Sequence, residues 1–242
     1  MYTRILTALA VCGLAVSAAQ AGVAENWDGG SHGWYYFASG VGDGDVALTP
    51  QGTGGHDGGA YVQTPLGSMT LWDEINNAYW FCYTYAEEDG SPLTPVDFNS
   101  DPSVSVYLRD DTAEPGSANL GGGSIHLWVG QYDDPDGEGG DDPIIDFFFY
   151  DVALTAGDAW TLNSFTVQPG STAWTQLRND GGVDEAADLL AEPQQWGFGI
   201  FNASSPPTGT LGLDDLTIIP EPSGGILLLL GAALAAGRRR MS

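Results

Sequence analysis

The sequence contains no lysine, and it has six arginines against 32 aspartates and glutamates. Residues 22–219 hold 31 of these acidic residues but only Arg109 and Arg178 as cations, which gives this segment a formal charge of −29. A field of that sign repels nucleic acid and anionic lipid and attracts divalent cations. Nucleic-acid binding is therefore excluded as a function.

Cysteine is equally scarce, since the chain has only Cys12 and Cys82. If residues 1–21 are removed by processing, Cys82 stands alone and no intramolecular disulfide can form. Cys82 lies in an aromatic run without a nearby cation that would lower its pKa. Its surroundings favour a small buried hydrophobic residue over a nucleophile.

The first 21 residues have the pattern of a secretory signal peptide. Arg4 supplies a positive charge, residues 5–16 are apolar, and Ala19-Gln20-Ala21 forms a small-x-small cleavage site before Gly22. We interpret residues 1–21 as a signal peptide, so the chain is expected to be exported.

Residues 22–219 have the length of one large domain. Short runs of β-branched and aromatic residues alternate with Gly, Pro, Asp and Asn clusters, which is typical of strands and turns. The number and spacing of these runs predict an all-β fold, a jelly-roll-like β-sandwich. The predicted strands are 35–37, 46–48, 60–63, 78–85, 104–108, 125–132, 144–150, 160–167, 172–177, 196–202 and 211–219.

Two strands carry information about their environment. Val104, Val106 and Leu108 alternate with polar residues, so one face of that strand should be buried and the other wet. The run 147–150, Phe-Phe-Phe-Tyr, does not alternate and should be covered on both sides. One short helix is predicted at 184–192, where acidic residues precede an apolar stretch that Pro193 ends.

The C-terminal segment 220–242 consists of Pro220-Glu221-Pro222, an apolar stretch at 226–236 and Arg238-Arg239-Arg240. Residues 223–237 carry no charge, and as a helix they would span about 22 Å, short of a hydrocarbon core of about 30 Å. Arginines can snorkel to the headgroups, and by the positive-inside rule they place the C-terminus in the cytoplasm. The segment therefore predicts a transmembrane helix with the acidic domain outside.

These three parts, in this order, resemble the PEP-CTERM sorting domain. The resemblance implies that an exosortase-type membrane protease acts at Pro220-Glu221-Pro222, with Arg238, Arg239 and Arg240 as the membrane stop. It also implies passage through the inner membrane and then residence at the cell surface or in the extracellular matrix. The alternative is an ordinary C-terminal anchor that is never cut.

An aspartate-rich stretch suggests a structural Ca²⁺ site, the only cofactor that the sequence indicates. Counting from Asp134, the acidic residues Asp134, Asp136 and Glu138 stand first, third and fifth and Gly139 sixth, as in the opening of an EF-hand loop. The twelfth position is Ile145, so the bidentate glutamate of that loop is missing. Two alternatives remain, a calcium loop of another geometry and a solvated acidic loop.

The two ends of the domain resemble the terminal strands of galactose-binding-like jelly rolls, which include laminin B-type and carbohydrate-binding modules. The matching residues are Asn26-Trp27-Asp28-Gly29 with Gly33-Trp34, and residues 212–218, Gly-Leu-Asp-Asp-Leu-Thr-Ile. The resemblance implies that the first and last strands lie side by side. It further implies a shared structural calcium, for which Asp28 and Asp215 are the candidates by position.

Eight tryptophans occur in the domain, and in a β-sandwich such residues form core or stack on sugars. Most should be core, whereas Trp72 lies between strands and is the candidate ligand-binding residue. Gly29-Gly30-Ser31-His32-Gly33 satisfies the G-x-S-x-G pattern, but no apolar strand precedes it and no helix follows, so a turn is favoured over an active serine.

These observations favour a non-catalytic surface or extracellular-matrix protein associated with polysaccharide. A secreted glycoside hydrolase is the rival from another class, and it would need two carboxylates about 5–10 Å apart across an aromatic cleft. A purely structural coat protein without a ligand is the third reading.

Overall fold

The computed structural model describes residues 22–38, 44–73, 76–85, 96–112, 118–133, 144–168, 173–179, 186–191 and 193–220. The predicted signal peptide and residues 221–242 lie outside the described residues. Among the described residues, no helix is both long enough and apolar enough to cross a membrane.

Thirteen strands make up the described part of the chain. They are β1 (Val23–Glu25), β2 (Tyr35–Phe37), β3 (Asp45–Ala47), β4 (Thr49–Gln51), β5 (Tyr61–Pro65), β6 (Tyr79–Tyr85), β7 (Ser103–Asp110), β8 (Ser124–Asp133), β9 (Ile144–Tyr150), β10 (Thr161–Thr166), β11 (Trp174–Asn179), β12 (Gln195–Phe201) and β13 (Thr210–Ile219). The helical elements are α1 (Ala187–Leu190) and two 3-10 turns, Leu66–Ser68 and Phe98–Ser100.

The strands form two antiparallel sheets. Sheet A has the order β10-β7-β13-β5-β4, with β1 also paired to β13, and sheet B has the order β11-β9-β8-β12-β6-β2-β3. The prediction of an all-β sandwich with few helices is thereby confirmed. The helix expected at 184–192 is reduced to the single turn of α1 within the described residues.

The main core lies between the sheets and follows the period-2 alternation of the strands. Val104, Val106 and Leu108 of β7 are fully buried, whereas the intervening residues of β7 are half-buried. Cys82 also belongs to this core, and burial raises the pKa of its thiol, as expected of an unreactive cysteine. The predicted one-sided burial of β7 is confirmed.

The first and last strands are neighbours, as the sequence resemblance implies. Val23 pairs with Ile218 and Glu25 with Leu216. β13 is long enough to pair with β5 through its first half and with β1 through its second, while β7 follows its other side. The last strand of the domain therefore lies inside sheet A.

Candidate functional site

A second hydrophobic cluster lies on the face of sheet B that points away from the main core. Strands β6, β8, β9 and β12 place alternate residues in the main core and in this cluster. We call it the aromatic face, and it consists of Ala78, Trp80, Tyr83, Trp128, Phe147, Phe149 and Phe201. Phe148 and Tyr150 point into the main core, so the run 147–150 is covered on both sides as the sequence predicts.

Glycines on the same face make room for these rings. A Cβ at Gly130 of β8 would overlap the ring of Phe147, and a Cβ at Gly199 of β12 would lie 2.7 Å from the Trp80 ring. Carbon atoms in contact lie about 3.5–4.0 Å apart, so neither glycine position has room for a Cβ atom. Sheet B therefore accommodates several large aromatic side chains on this face because β8 and β12 carry glycine where they cross it.

Three tryptophans form a pile on the aromatic face. Trp80 stacks on Trp128 with ring centroids 4.3 Å apart and planes 18° apart, and Trp72 stacks on Trp80 at 4.9 Å and 29°. Trp72 also meets the Phe147 ring edge-on at 4.6 Å. Trp80 and Trp128 are buried, whereas Trp72 is half-buried, so Trp72 is the member of the pile that solvent reaches.

A backbone turn positions Trp72. The Trp72 N–H donates to the Ala78 carbonyl at 2.9 Å, and the Ala78 N–H donates to the Asp73 carbonyl at 3.1 Å, directly before β6 begins. Asn76 donates through Nδ2 to the Leu177 carbonyl of β11 at 2.9 Å. These bonds connect the segment before β6 to the far edge of sheet B, which explains how a residue outside the strands reaches the aromatic face.

The tryptophans divide into two groups by exposure. Trp27, Trp34, Trp80, Trp128, Trp174 and Trp196 are at most 6% exposed, whereas Trp72 and Trp160 are half-buried. The indole N–H groups of Trp80 and Trp128 are buried without a hydrogen-bond partner among the described residues, but those of Trp27 and Trp34 in the main core share this property. Partial exposure at the end of an aromatic pile is therefore what distinguishes Trp72.

His126 of β8 lies at the border of the aromatic face, where its ring centroid is 4.8 Å from the ring centroid of Phe149. Its Nδ1 is 2.7 Å from the Tyr150 carbonyl, which can only accept, so Nδ1 carries the proton and Nε2 accepts from the Ser124 hydroxyl at 2.7 Å. Burial lowers the pKa of His126. The imidazole is therefore neutral at pH 7.

The two carboxylates nominated at the terminal strands have different partners. Asp28 exchanges hydrogen bonds with Asn26, whereas the Asp215 carboxylate lies 3.2 Å from Nδ1 of His56. No group of three or more His, Cys, Asp or Glu residues in the described ranges could hold a metal ion. Asp134, Asp136 and Glu138 lie outside the described residues, so the calcium sites stay predictions.

The sorting residues also fall mainly beyond what the structure describes. Pro220 is the last described residue and follows β13 directly. Glu221, Pro222 and the arginines Arg238, Arg239 and Arg240 lie outside the described residues, so the sorting motif and the membrane stop stay predictions from sequence.

The outer face of sheet A holds a polar cluster that the sequence did not reveal. The Arg109 guanidinium lies over the rings of Trp160, at 4.2 Å, and Tyr61, at 5.1 Å, and forms an ion pair with Asp111. Arg109 and Trp160 both donate to the Gly54 carbonyl, at 3.2 and 3.1 Å. The scarcity of cations was the available signal, because Arg109, one of only two cations in the domain, is half-buried against two aromatic rings.

Asp111 is the acceptor of this cluster. The Tyr61 hydroxyl donates to it at 2.7 Å, and Gln63 donates to the same carboxylate oxygen. Burial, together with the Asp111 carboxylate, raises the pKa of Tyr61 to about 12. Because Tyr61, Gln63 and Arg109 all contact this one carboxylate group, the cluster stabilises the outer face of sheet A.

A second set of contacts holds the connection between β4 and β5 on sheet A. The His56 ring stacks on Tyr107 at 3.5 Å, and its backbone N–H donates to Asp214 at 2.6 Å. Asp214 is 1% exposed, and burial raises the pKa of its carboxyl group. A Cβ at Gly55 would overlap this carboxylate, so glycine is required where the loop approaches β13.

The G-x-S-x-G segment lies in turns, as the sequence indicates. His32 Nδ1 is 2.8 Å from the Glu25 carboxylate, and the Ser31 carbonyl accepts from the Trp34 N–H at 2.9 Å. Gly29, Gly30, His32 and Gly33 all have positive φ angles. The segment is a tight turn rather than the strand-to-helix elbow of a hydrolase.

No family model and no curated protein matches the sequence. Among solved structures, the chain is similar to the family 11 carbohydrate-binding module from Clostridium thermocellum in complex with a β-1,3-1,4-mixed-linked tetrasaccharide, with 13% identity and a TM-score of 0.47 over 83% of this chain and 96% of that one.

Two further solved structures have comparable similarity. The C-terminal family 22 carbohydrate-binding module of Clostridium thermocellum Xyn10B is 12% identical with a TM-score of 0.42, over 82% of this chain and 92% of that one. The L4b domain of human laminin alpha-2 is 6% identical with a TM-score of 0.40, over 83% and 98%. Identities and TM-scores this low transfer no ligand to this chain.

Proposed function

We propose that this chain is an exported, membrane-sorted, non-catalytic protein of the cell surface or extracellular matrix that binds a neutral polysaccharide through Trp72. The domain is a jelly-roll-like sandwich whose first and last strands are neighbours. A signal peptide exports it, and the segment 220–242 carries it to an exosortase-type protease in the inner membrane.

The pile of Trp72, Trp80 and Trp128 is the observation that carries this proposal. An indole that is partly exposed and held flat by a second indole beneath it presents a rigid apolar plate, which is how aromatic side chains stack on sugar rings. The plate loses little conformational entropy on binding, because Trp80 and Phe147 already fix its position.

Charge selects the class of polysaccharide. A domain with a formal charge of −29 between residues 22 and 219 repels uronic-acid, sulfated and phosphorylated glycans. Of its two arginines, Arg109 is already paired with Asp111. A neutral glycan is therefore the expected ligand, and the aromatic surface is expected to supply most of its affinity.

Affinity electrophoresis through gels containing neutral glucans, xylan or mannan tests the proposal. Trp72→Ala should weaken retention at least tenfold, while Trp72→Phe should keep most of it because a ring remains on Trp80. Trp160→Ala is the matched control, since Trp160 is the other half-buried tryptophan and packs on Arg109 at sheet A. Equal retention of Trp72→Ala and Trp160→Ala, both folded, would refute the role of Trp72.

The sorting route has its own test. Replacing Pro220, Glu221 and Pro222 by alanine should leave unprocessed protein in the inner membrane of the native cell, because the extended segment that a protease engages is lost. Normal release of this variant would discard the sorting hypothesis and leave an uncut anchor as the remaining interpretation.

A further inference from the structure

Part of the outer face of sheet A carries no charge. The strand register places Thr166, Ser103 and Ile219 in one row, and Ser164, Ser105 and Thr217 in the next. We call these two rows the uncharged face. None of the six is ionisable, although residues 22–219 contain 31 aspartates and glutamates. Charge begins only at its borders, with Asp101 before β7 and with Asp214 and Asp215 in β13.

Exposed apolar residues concentrate at the same place. Among the described residues, three large hydrophobic side chains are exposed: Ile219 at 58%, Leu162 at 52% and Val152 at 40%. Ile219 belongs to the uncharged face. Leu162 lies two residues before Ser164 on β10, on the same side of the strand, and therefore extends this face. The face is thus a hydroxyl-rich surface with exposed aliphatic side chains.

Both ends of the domain leave from this face. β1 and β13 pair through Val23 and Ile218, and a Cβ at Gly22 would lie 3.4 Å from Cδ of Pro220. Five residues, 221–225, separate Pro220 from the apolar stretch 226–236. Even fully extended, five residues span only about 17 Å. Wherever the apolar stretch inserts, the uncharged face lies close to it.

Two properties of the face identify its partner. A domain with this net charge is repelled by an anionic leaflet, and each charge near such a surface changes the energy by about 1 kcal/mol. A face without carboxylates is the one that can approach the leaflet closely. A second copy fits less well, because three strands about 4.8 Å apart by five residues of about 3.4 Å each give about 250 Å², and a stable interface needs about 800 Å² per partner.

We propose that the uncharged face rests on the lipid bilayer that the C-terminal apolar segment enters, so that the domain lies against the membrane with its carboxylates turned away. This inference rests on the membrane insertion assumed in the proposed function. Ile219 and Leu162 then contact the interface, and the serine and threonine hydroxyls face the lipid headgroups.

Site-directed spin labelling of the full chain in phosphatidylcholine–phosphatidylglycerol vesicles tests the proposal. One label is placed at Ser164→Cys, on the uncharged face. The matched control is Thr175→Cys, an exposed position on β11 in the opposite sheet. Both variants carry Cys12→Ala, and native Cys82 is buried and protected from labelling. Power saturation with lipid-soluble oxygen and a water-soluble nickel complex reports which label meets lipid.

We expect the oxygen-to-nickel accessibility ratio at position 164 to exceed that at position 175 several-fold. Adding Ser105→Asp should remove this difference, whereas the neutral isostere Ser105→Asn should keep it. Equal ratios at the two positions in chains that float with the vesicles would overturn the face assignment alone. Chains that fail to float would overturn the membrane insertion as well. Spin–spin broadening at position 164 would show that the face takes a second copy instead.

Discussion

Replacing Arg109 tests how the outer face of sheet A is held together. Arg109→Met keeps the aliphatic stem but removes the guanidinium, whose ion pair with Asp111 joins side chains that are 21% and 12% exposed. Cation–π contacts with Trp160 and Tyr61 contribute about 0.5–1 kcal/mol each, and charge-assisted hydrogen bonds about 1.5–3 kcal/mol. The buried Nε–H lacks a partner among the described residues, which lowers the net contribution. We expect a loss of about 3 kcal/mol.

Arg178→Met is the matched control because it changes the net charge of the domain by the same amount. Urea unfolding followed by tryptophan fluorescence gives the free energy of unfolding of each variant. For a domain of this size, 3 kcal/mol corresponds to about 6–12 °C in Tm. If the two variants lose the same stability within about 0.5 kcal/mol, the contacts of Arg109 contribute no more than those of Arg178, and the assignment of Arg109 as the centre of this cluster is refuted.

Three further outcomes are expected. Because burial lowers the pKa of His126, the folded state resists protonation while the unfolded chain takes up a proton near pH 6.5. Stability should therefore fall as pH drops below 6.5, by at most about 1.4 kcal/mol per pH unit. His126→Asn should flatten this fall in pH-dependent urea unfolding, and an unchanged fall would contradict the assignment. Gly130→Ala should cost about 1–3 kcal/mol because its Cβ overlaps Phe147, whereas Gly67→Ala, which meets nothing within 4 Å, should cost little by the same measurement. Calcium should raise the Tm of segment 22–219, as its charge of −29 and aspartate-rich loops suggest, and a Tm unaffected by calcium and chelator would contradict this.

The strands of the sandwich could largely be predicted because their alternation is local. Val104, Val106 and Leu108 show period 2, and the run 147–150 lacks it for the reason found in the structure, a second hydrophobic layer. β1 and β4 were not predicted because neither Val-Ala-Glu nor Thr-Pro-Gln is a run of β-branched and aromatic residues, and β4 contains Pro50. That proline is tolerated because β4 lies at the edge of sheet A, where β5 is its one partner among the described strands.

The candidate site was only partly accessible from the sequence. Trp72 stood out because it lies between strands, but nothing local shows that it stacks on Trp80. The available signal was glycine inside strands, at Gly130 and Gly199, which marks a place where a ring must pass close to the backbone. The contacts of Arg109 with Tyr61 and Trp160 join residues about fifty positions apart, and no local pattern encodes such pairings.

The central place of β13 in sheet A has a consequence for the order in which this chain can fold. β5, β7 and β1 all need β13 as a neighbour, and β13 is made last. β7 can pair with β10 and β4 with β5 earlier, but sheet A cannot be completed before β13 is made. Sandwiches rich in such distant pairings fold slowly. The two sheets can therefore enclose the main core only after β13 has been made.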